Sequence, residues 1–513
     1  MTKTFEQETL IRDVMIAQLR DASAYPHTVD GPVVVHETHI SLVFLAGHFA
    51  YKIKKSITTD FLDYGTLAKR HHACCEELRL DSRYVHGLYL DVVPITYEDG
   101  HVRMDGDAQP IEFALRMQRF PDDSLLTNRM HAGHVGSEDM IQLANTIASF
   151  HRLAAVSRDQ VEPILTRIRE QATANFTYLR GLSTSGNQDR SLQALEEWTN
   201  ASYVQLQDIF RHRIREGFIR ECHGDLHCNN IVHWRGQWVP FDGIEFNPEY
   251  YWIDVLSDVA FLTMDVQYRG RTDLSGCFIN AYLEQTGDYE ALPILRWYML
   301  YRALVRTKVA KMSAEQAGED ASQRSRLNDV ASLYLNLSHQ LIQPKPRYLW
   351  ITHGVSGSGK TTGSQQLVCS ESAIRLRSDI ERKRLFRTTL ADHLTLGVGQ
   401  GIYSASASES TYQALLFKAR KLLQGGFSVV IDATFLKHAD RQRFQALAIA
   451  ESANFQILDF RADVETLRKR IIDRRLAKKD ASDADLEVLS RQLSDQEPLT
   501  ADELEHTCET KSK

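Results

Sequence analysis

Gly354-Val-Ser-Gly-Ser-Gly-Lys-Thr361 follows directly on the apolar run Tyr348-Leu-Trp-Ile-Thr352 and leads into residues at helical spacing. The eight residues fit G-x-x-x-x-G-K-S/T. In that pattern glycines let successive backbone N–H groups turn inward around phosphate oxygens, where a side chain would block the approach. The helix that begins there adds its positive end. Lys360 can reach β and γ phosphates, and the Thr361 hydroxyl can ligate Mg²⁺. A chance glycine-rich turn would lack both the strand before and the helix after. The set expected to hold the phosphates of ATP is Gly354, Ser356, Gly357, Ser358, Gly359, Lys360, Thr361 and Thr362.

Outward from this loop the chain alternates strand, loop and helix. Ile374-Arg-Leu-Arg-Ser-Asp379, a helix near 408–424, Phe427-Ser-Val-Val-Ile-Asp-Ala433, another helix and Phe455-Gln-Ile-Leu-Asp-Phe460 follow in order. That alternation predicts a parallel sheet covered by helices. Asp379 falls just after the second strand, at the sheet edge where open α/β folds bind ligands. A carboxylate there can accept the proton of an attacking hydroxyl, and Arg382, a turn further on, can hold substrate. Asp432 ends a buried strand and suits a residue holding a water of Mg²⁺. Arg468, Arg470, Arg474 and Arg475 crowd one helix; Arg470 and Arg474 are expected over the nucleotide, where guanidinium groups stabilise the migrating phosphoryl group.

This stretch, about 348–498, resembles the P-loop kinases that include the kinase domain of phage-type polynucleotide kinase, the zeta-toxin kinases and predicted small bacterial kinases. The resemblance rests on the glycine loop, on the D-x-x-R of Asp379 and Arg382, and on Asp432-Ala-Thr-Phe435 with Arg441 downstream. Ser482-Asp-Ala484, Gln492 and Pro498 also match the predicted-kinase branch. It implies that Asp379 is the general base.

Upstream, Gln343-Pro-Lys-Pro-Arg347 reads as an extended linker, because two prolines follow a long helical pattern. Residues 5–22 read as an amphipathic helix. From 33 to 55 two β-rich runs are joined by a turn at Ala46–His48, then come a helix carrying Glu76 and Glu77 and strands near 88–97 and 111–119. From 137 to 342 the chain reads as helical, broken at 221–247, with a polar excursion expected at 313–326.

The break contains His223-Gly-Asp-Leu-His-Cys-Asn-Asn-Ile231. An Asp and an Asn five residues apart on one loop can place a base beside Mg²⁺, and Val239-Pro-Phe-Asp242 supplies another metal-suited Asp. This half resembles the aminoglycoside phosphotransferase-like branch of the protein-kinase fold. The resemblance makes Asp225 the catalytic base, Asn230 and Asp242 the Mg²⁺ ligands, and His223 a brace for the loop. It implies Lys52 as the lysine that pairs with nucleotide phosphates, with Lys54 competing. Glu77 is its ion-pair partner, with Glu76 second. Arg116–Phe120 becomes the hinge strand, where Met117 and Arg119 meet adenine through the backbone. Asp254 and Asp258 become structural supports. The loop at Ala46–His48 departs from the family, having one glycine and no G-x-G-x-x-G.

Length and composition agree with several packed domains. The 513 residues are 43% hydrophobic and 25% charged, and a net charge of -7 argues against coating nucleic acid by bulk charge. Seven cysteines form no CxxC pair, which fits a reducing cytoplasm, and Cys222, His223, His227 and Cys228 match no zinc spacing. No apolar run approaches the roughly 18–20 residues of a membrane span. The fold class expected is α/β and α+β: a bilobal protein-kinase-like domain at 1–342, with a small lobe at about 25–120 and a helical lobe at about 121–342. A linker at 343–347 and a P-loop parallel-sheet domain at 348–513 complete it. The reading is two ATP·Mg²⁺ phosphotransferase centres acting on hydroxyl acceptors, small molecules first. The rival is a P-loop kinase for a nucleic acid 5′ end or nucleotide sugar, with the first half a nucleotide-binding regulatory module.

Overall fold

In the computed structural model the described residues are 13–59, 62–182, 186–318, 320–386, 401–477 and 485–509, with the backbone alone at 186–188, 401, 474–477 and 509. Six antiparallel strands open the chain: β1 (Val34–Glu37), β2 (Ser41–Ala46), β3 (Phe49–Lys54), β4 (Tyr89–Glu98), β5 (His101–Met104) and β6 (Pro110–Gln118). Their order in the sheet is β1-β2-β3-β6-β4-β5. β3 is therefore central, and five of its six residues are buried. Lys52 and Lys54, two residues apart, share one face of it. The Leu67–Asp81 helix packs on β6 and β4 on that side, started by the Thr66 hydroxyl accepting from Lys69 N.

The first β-rich run is itself a hairpin, because Thr38 and Ser41 close a turn between β1 and β2. β5, a short hairpin return, went unread in the sequence. Of the expected 5–22 helix, 13–18 are helical and 5–12 lie outside the described residues. The excursion expected at 313–326 is corrected: helix Leu292–Gln316 runs into it and helix Ala321–Ile342 begins inside it. Polar residues there are the solvent faces of helices.

The helical portion is built around helix Val255–Tyr268, in which every residue from Val255 to Val266 is buried. A helix buried on all sides belongs in a core, and its Asp258 and Asp265 are hydrogen-bonded there to backbone N–H groups. Around it lie Ser137–Leu153, Thr272–Thr286, Leu292–Gln316 and Ala321–Ile342, and next to it two short pairs, β7 (Ile219–Glu221) with β10 (Trp252–Asp254) and β8 (Ile231–Trp234) with β9 (Gln237–Pro240).

Beyond 343–347, five strands form a wholly parallel sheet: β11 (Tyr348–His353), β12 (Ile374–Arg377), β13 (Val429–Asp432), β14 (Asn454–Asp459) and β15 (Thr507–Glu509). The order β12-β13-β11-β14-β15 puts β11 in the middle. The chain leaves β11 toward one side and later returns to the other, so a topological switch point opens at the C-terminal end of β11. β15 was not read from the sequence. One hydrophobic cluster runs through both portions, joining Tyr289, Leu292 and Trp297 to Leu349, Leu376 and Val429. Among the described residues no helix is long and apolar enough to cross a membrane.

Candidate functional sites

Helix Leu67–Asp81 brings Glu77 beneath β3. Lys52 Nζ lies 2.6 Å from Glu77 Oε1 and also pairs with Asp242. Lys54 pairs with Glu77 and Glu245, and Tyr64 OH donates to Glu245. Burial opposes the charge on Lys52, but Asp242 and Glu77 more than offset it and hold its pKa above the usual lysine value. Burial likewise opposes the Asp242 charge, and Lys52 outweighs it, leaving that carboxyl below its ordinary value. The two lysines differ in their partners. Lys52 reaches Asp242, while Lys54, 2% exposed, braces the framework. Glu76 pairs instead with Arg79.

The loop 223–231 is held from behind. Asp258 accepts the N–H groups of His223 at 2.8 Å and Gly224 at 2.9 Å. Gly224 has φ +84°, and a Cβ there would sit 2.5 Å from Tyr250 O, so only glycine fits. His223 Nδ1 accepts from Asp225 N at 3.2 Å, and its Nε2 lies 3.0 Å from Phe241 O. Burial lowers its pKa, so the ring is neutral with the proton on Nε2, donating to Phe241. Asp254 caps the Val255–Tyr268 helix through Leu256 N and binds Arg213 with both oxygens. Both aspartates are supports, as the resemblance implied.

Asp225, Asn230 and Asp242 come together. Asn230 Nδ2 donates to Asp225 Oδ2 at 3.0 Å and approaches Asp242 O at 3.3 Å. His227 Nε2 lies 3.3 Å from Asp225 Oδ2 and 3.1 Å from Arg306 Nη1. Burial works against the Asp225 charge, but His227 and Arg306 prevail and keep the carboxyl well below its usual range. Ionised at neutral pH, it is an acceptor of protons and cations. Asp242, at φ +61°, exposes 45% of its side chain while its N–H donates to Tyr89 OH. These all-oxygen donors fit a hard divalent ion such as Mg²⁺. Asp81, one turn beyond Glu77, accepts Gly243 N, and burial beside Glu77 and Asp242 pushes it up to about 8.

The hinge expectation needs correction. Arg119 N donates to His48 O and Gln118 N to Leu88 O, so these amides close the small sheet and the Arg119 amide is not the one offered to adenine. Met117 contributes its side chain, packed with Ala50, Val232 and Val239. The turn above is only Gly47-His48, since Ala46 pairs directly with Phe49. A Cβ on Gly47 would lie 3.1 Å from Thr28 O, so residues 27–29 press on the turn.

At the other site, the glycine loop lies at the C-terminal end of β11. Gly354 has φ +138°, and a Cβ there would meet Phe460 O at 2.5 Å; Gly357 and Gly359 are also at positive φ. Lys360 Nζ donates to Val355 O at 2.7 Å across the loop, and Gln492 accepts Ser356 N at 2.7 Å. Thr361 and Thr362 begin helix Lys360–Ser370. Ser358 Oγ is buried without a hydrogen-bond partner among the described residues. Asp432 Oδ2 likewise makes no hydrogen bond among the described residues, and its nearest cation is Arg377 Nε at 3.8 Å. A buried carboxylate oxygen with spare hydrogen-bonding capacity beside the glycine loop fits a metal-bound water. Asp379 stands in the first turn of helix Ser378–Leu385, at the same sheet edge.

Helix Val464–Ala477 packs on the loop through Leu467 and Ile471, and Arg470 Nη1 donates to Gly357 O at 3.3 Å. Arg468 is exposed, and the side chains of Arg474 and Arg475 lie outside the described residues, as does 482–484. Arg382 is a correction. Its Nη1 binds Ile402 O at 2.9 Å and Ser408 Oγ at 3.2 Å, with the guanidinium over Tyr403, so it ties down 402–408. Arg441 is likewise structural, 1% exposed and paired with Glu503 at 2.7 Å.

Sequence reading missed Asp81, Glu245, Arg302 and Arg306. The signal was partly present: Glu77 and Asp81, and Arg302 and Arg306, are spaced i,i+4 on single helical faces. Arg302 Nη1 donates to Gly224 O at 2.9 Å, directly under the loop.

Residues 349–499 match the AAA domain family. The uncharacterized protein Rv2004c of Mycobacterium tuberculosis is 30% identical over 468 residues, 90% of this chain and 90% of that one. A choline/ethanolamine kinase family protein from Mesorhizobium loti aligns with 64% of this chain and 99% of its own, at 12% identity and a TM-score of 0.34. Kti12 of Chaetomium thermophilum, in complex with ADP-AlF3, aligns with 29% of this chain and 80% of its own, at 17% identity and a TM-score of 0.23. The first unit joins a six-stranded antiparallel sheet to a helical portion, and the second is a parallel-sheet domain with its glycine loop at the C-terminal end of β11.

Proposed function

The chain belongs to one family with the mycobacterial relative that it matches nearly end to end, and from that premise we propose a bifunctional ATP-dependent phosphotransferase. Two ATP·Mg²⁺ centres pass the γ-phosphoryl group to hydroxyl acceptors, small molecules being the expected class, in the cytoplasm. The observation that carries this reading is the convergence of Asp225, Asn230 and Asp242 with the Lys52–Glu77 pair, alongside a complete glycine loop at 354–361.

In the first centre Asp225 accepts the proton of the acceptor hydroxyl while that oxygen bonds to the γ-phosphorus and ADP departs. Asn230 and Asp242 would hold Mg²⁺, which supplies charge neutralisation on the phosphates. Lys52 is held by Glu77 for the nucleotide phosphates, and Met117 walls the adenine side. In the second centre the amides of 357–362 and Lys360 cradle phosphate, Thr361 and Asp432 would serve the metal, Asp379 is the base, and Arg470 covers the loop. Arg382 is left out of the catalytic set.

The short Gly47-His48 turn favours a second reading, in which the first unit binds nucleotide as a regulatory module. The P-loop unit then phosphorylates a nucleic acid 5′ end or a nucleotide sugar. Equilibrium binding of a non-hydrolysable ATP analogue tests the proposal. Two sites per chain are expected, with Lys52→Ala and Lys360→Ala each removing a different one. A single site, lost with Lys360→Ala and untouched by Lys52→Ala, would overturn it.

A further inference from the structure

Helix Thr272–Thr286 of the first unit lies directly against helix Lys360–Ser370 of the second. The approach is closest at Gly276, where a Cβ would come within 2.3 Å of Val368 O, so glycine is required for the contact. The next residue on each helix is a cysteine. Cys277 Sγ stands 3.0 Å from Cys369 Sγ, and Gln365 Nε2 faces the pair, 3.4 Å from one sulfur and 3.7 Å from the other. Cys277 is 2% exposed, while Cys369 is only half-buried. Two thiols from separate units, brought into contact by a glycine that no bulkier residue can replace, form a built dithiol.

We propose that Cys277 and Cys369 are a reversible oxidation site, closed to a disulfide by hydroperoxides, that clasps the P-loop helix to the first unit. The accessible Cys369 reacts first: its sulfur takes the distal oxygen of the peroxide, giving a sulfenic acid and releasing water or an alcohol. Cys277 sulfur then displaces the hydroxyl from Cys369 sulfur. The S–S bond forms, and the Cys277 proton leaves with that hydroxyl as water. A reducing dithiol restores both thiols and takes up the disulfide itself. Burial pushes Cys277 up to about 12, so it is inert by itself and acts only on an oxidised neighbour beside it. Among the described residues no other buried thiol, Cys74, Cys222 or Cys228, has a recorded contact with a second sulfur: Cys74 lies near Lys54 and Glu77, and Cys222 donates to Ile253 O. Because the helix clasped is the one that begins with Lys360 and Thr361, the clasp acts on the nucleotide-binding loop. That consequence rests on the proposed function, whereas the oxidation site does not.

The test is peroxide treatment of the intact folded chain, followed by maleimide labelling under denaturing conditions and mass measurement. Seven thiols label before treatment, since the chain has seven cysteines. After treatment two are expected to be lost, with a linked peptide pair holding Cys277 and Cys369, and both regained on adding a dithiol. Cys369→Ser and Cys277→Ser should each abolish that linked pair. Cys277→Ser should instead leave Cys369 trapped by a sulfenic-acid reagent, and melting curves matching wild type establish that each variant is folded. Independent labelling of both cysteines at peroxide levels that oxidise other thiols would overturn the proposal, as would a linked pair between other positions.

Discussion

Glu284 of helix Thr272–Thr286 and Arg375 of β12 form an ion pair at 2.7 Å that joins the helical portion to the parallel sheet. The same carboxylate lies 3.7 Å from Arg377, which stands beside Asp432 at the nucleotide end of the sheet. Asn280, one turn earlier, accepts Arg375 N at 2.6 Å and donates to Ala373 O at 2.9 Å. An edge strand needs its free backbone groups covered, and here a helix of the other unit covers them. Glu284→Gln is expected to cost about 3 kcal/mol, the penalty of stranding a buried partner, and to depress turnover at the P-loop centre. Urea unfolding measures the first effect. A midpoint equal to wild type would mean that apolar packing alone holds the units together.

Gly224→Ala places a methyl group on Tyr250 O in a left-handed backbone position. The strain of roughly 1–3 kcal/mol displaces Asp225, the proposed base. Activity assigned to the first centre should fall by at least about a hundredfold, with P-loop turnover intact. Steady-state kinetics with a substrate of each centre checks this, and an undiminished rate at the first centre would remove Asp225 from the reaction.

Glu77→Gln removes the charge that holds Lys52 and Lys54 together. A charge-assisted hydrogen bond is worth about 1.5–3 kcal/mol, so KM for ATP at the first centre should rise about tenfold to a hundredfold. Glu76→Gln, whose partner is Arg79, should leave KM unchanged. Equal effects of the two variants would contradict the assignment.

Much of this was legible because the chemistry is local in sequence. The glycine loop, the 223–231 loop, Asp242 just past β9 and Asp432 at the end of β13 are marked by short, ordered patterns, and alternation of strands and helices disclosed the parallel sheet. What stayed hidden depends on partners far along the chain. Arg382 has the spacing of a substrate residue, yet its donors meet Ile402 and Ser408. The Arg119 amide is claimed by His48, far back along the chain. β5 and β15 are short strands whose pairing comes from neighbours rather than from their own pattern. Glu284 sits on a helix of one unit and acts on the other, which no local spacing announces.

Acid stability should report the buried Arg441–Glu503 pair. Burial raises the Glu503 pKa, but Arg441 and the Thr500 amide outweigh it and bring it down to about 2, against 4.5 for the free group. The folded-state pKa is depressed, so the stabilisation is full above pH 4.5 and is lost as pH falls toward 2. Glu503→Gln should be less stable than wild type by roughly 3 kcal/mol at pH 7. That gap should narrow by about 1 kcal/mol at pH 3.5, as read by urea titrations at both pH values. A pH-independent gap would place the stabilisation in packing.

The most direct measurement is phosphoryl transfer from γ-labelled ATP to a panel of aminoglycosides, sugars, nucleosides, nucleotide sugars and 5′-hydroxyl oligonucleotides. Wild type is compared with Asp225→Ala and Lys360→Ala. Each substitution is expected to abolish transfer to a different acceptor and spare the other. Loss of all transfer with Lys360→Ala, with none lost in Asp225→Ala, would contradict two catalytic centres and leave the first unit a nucleotide-binding module.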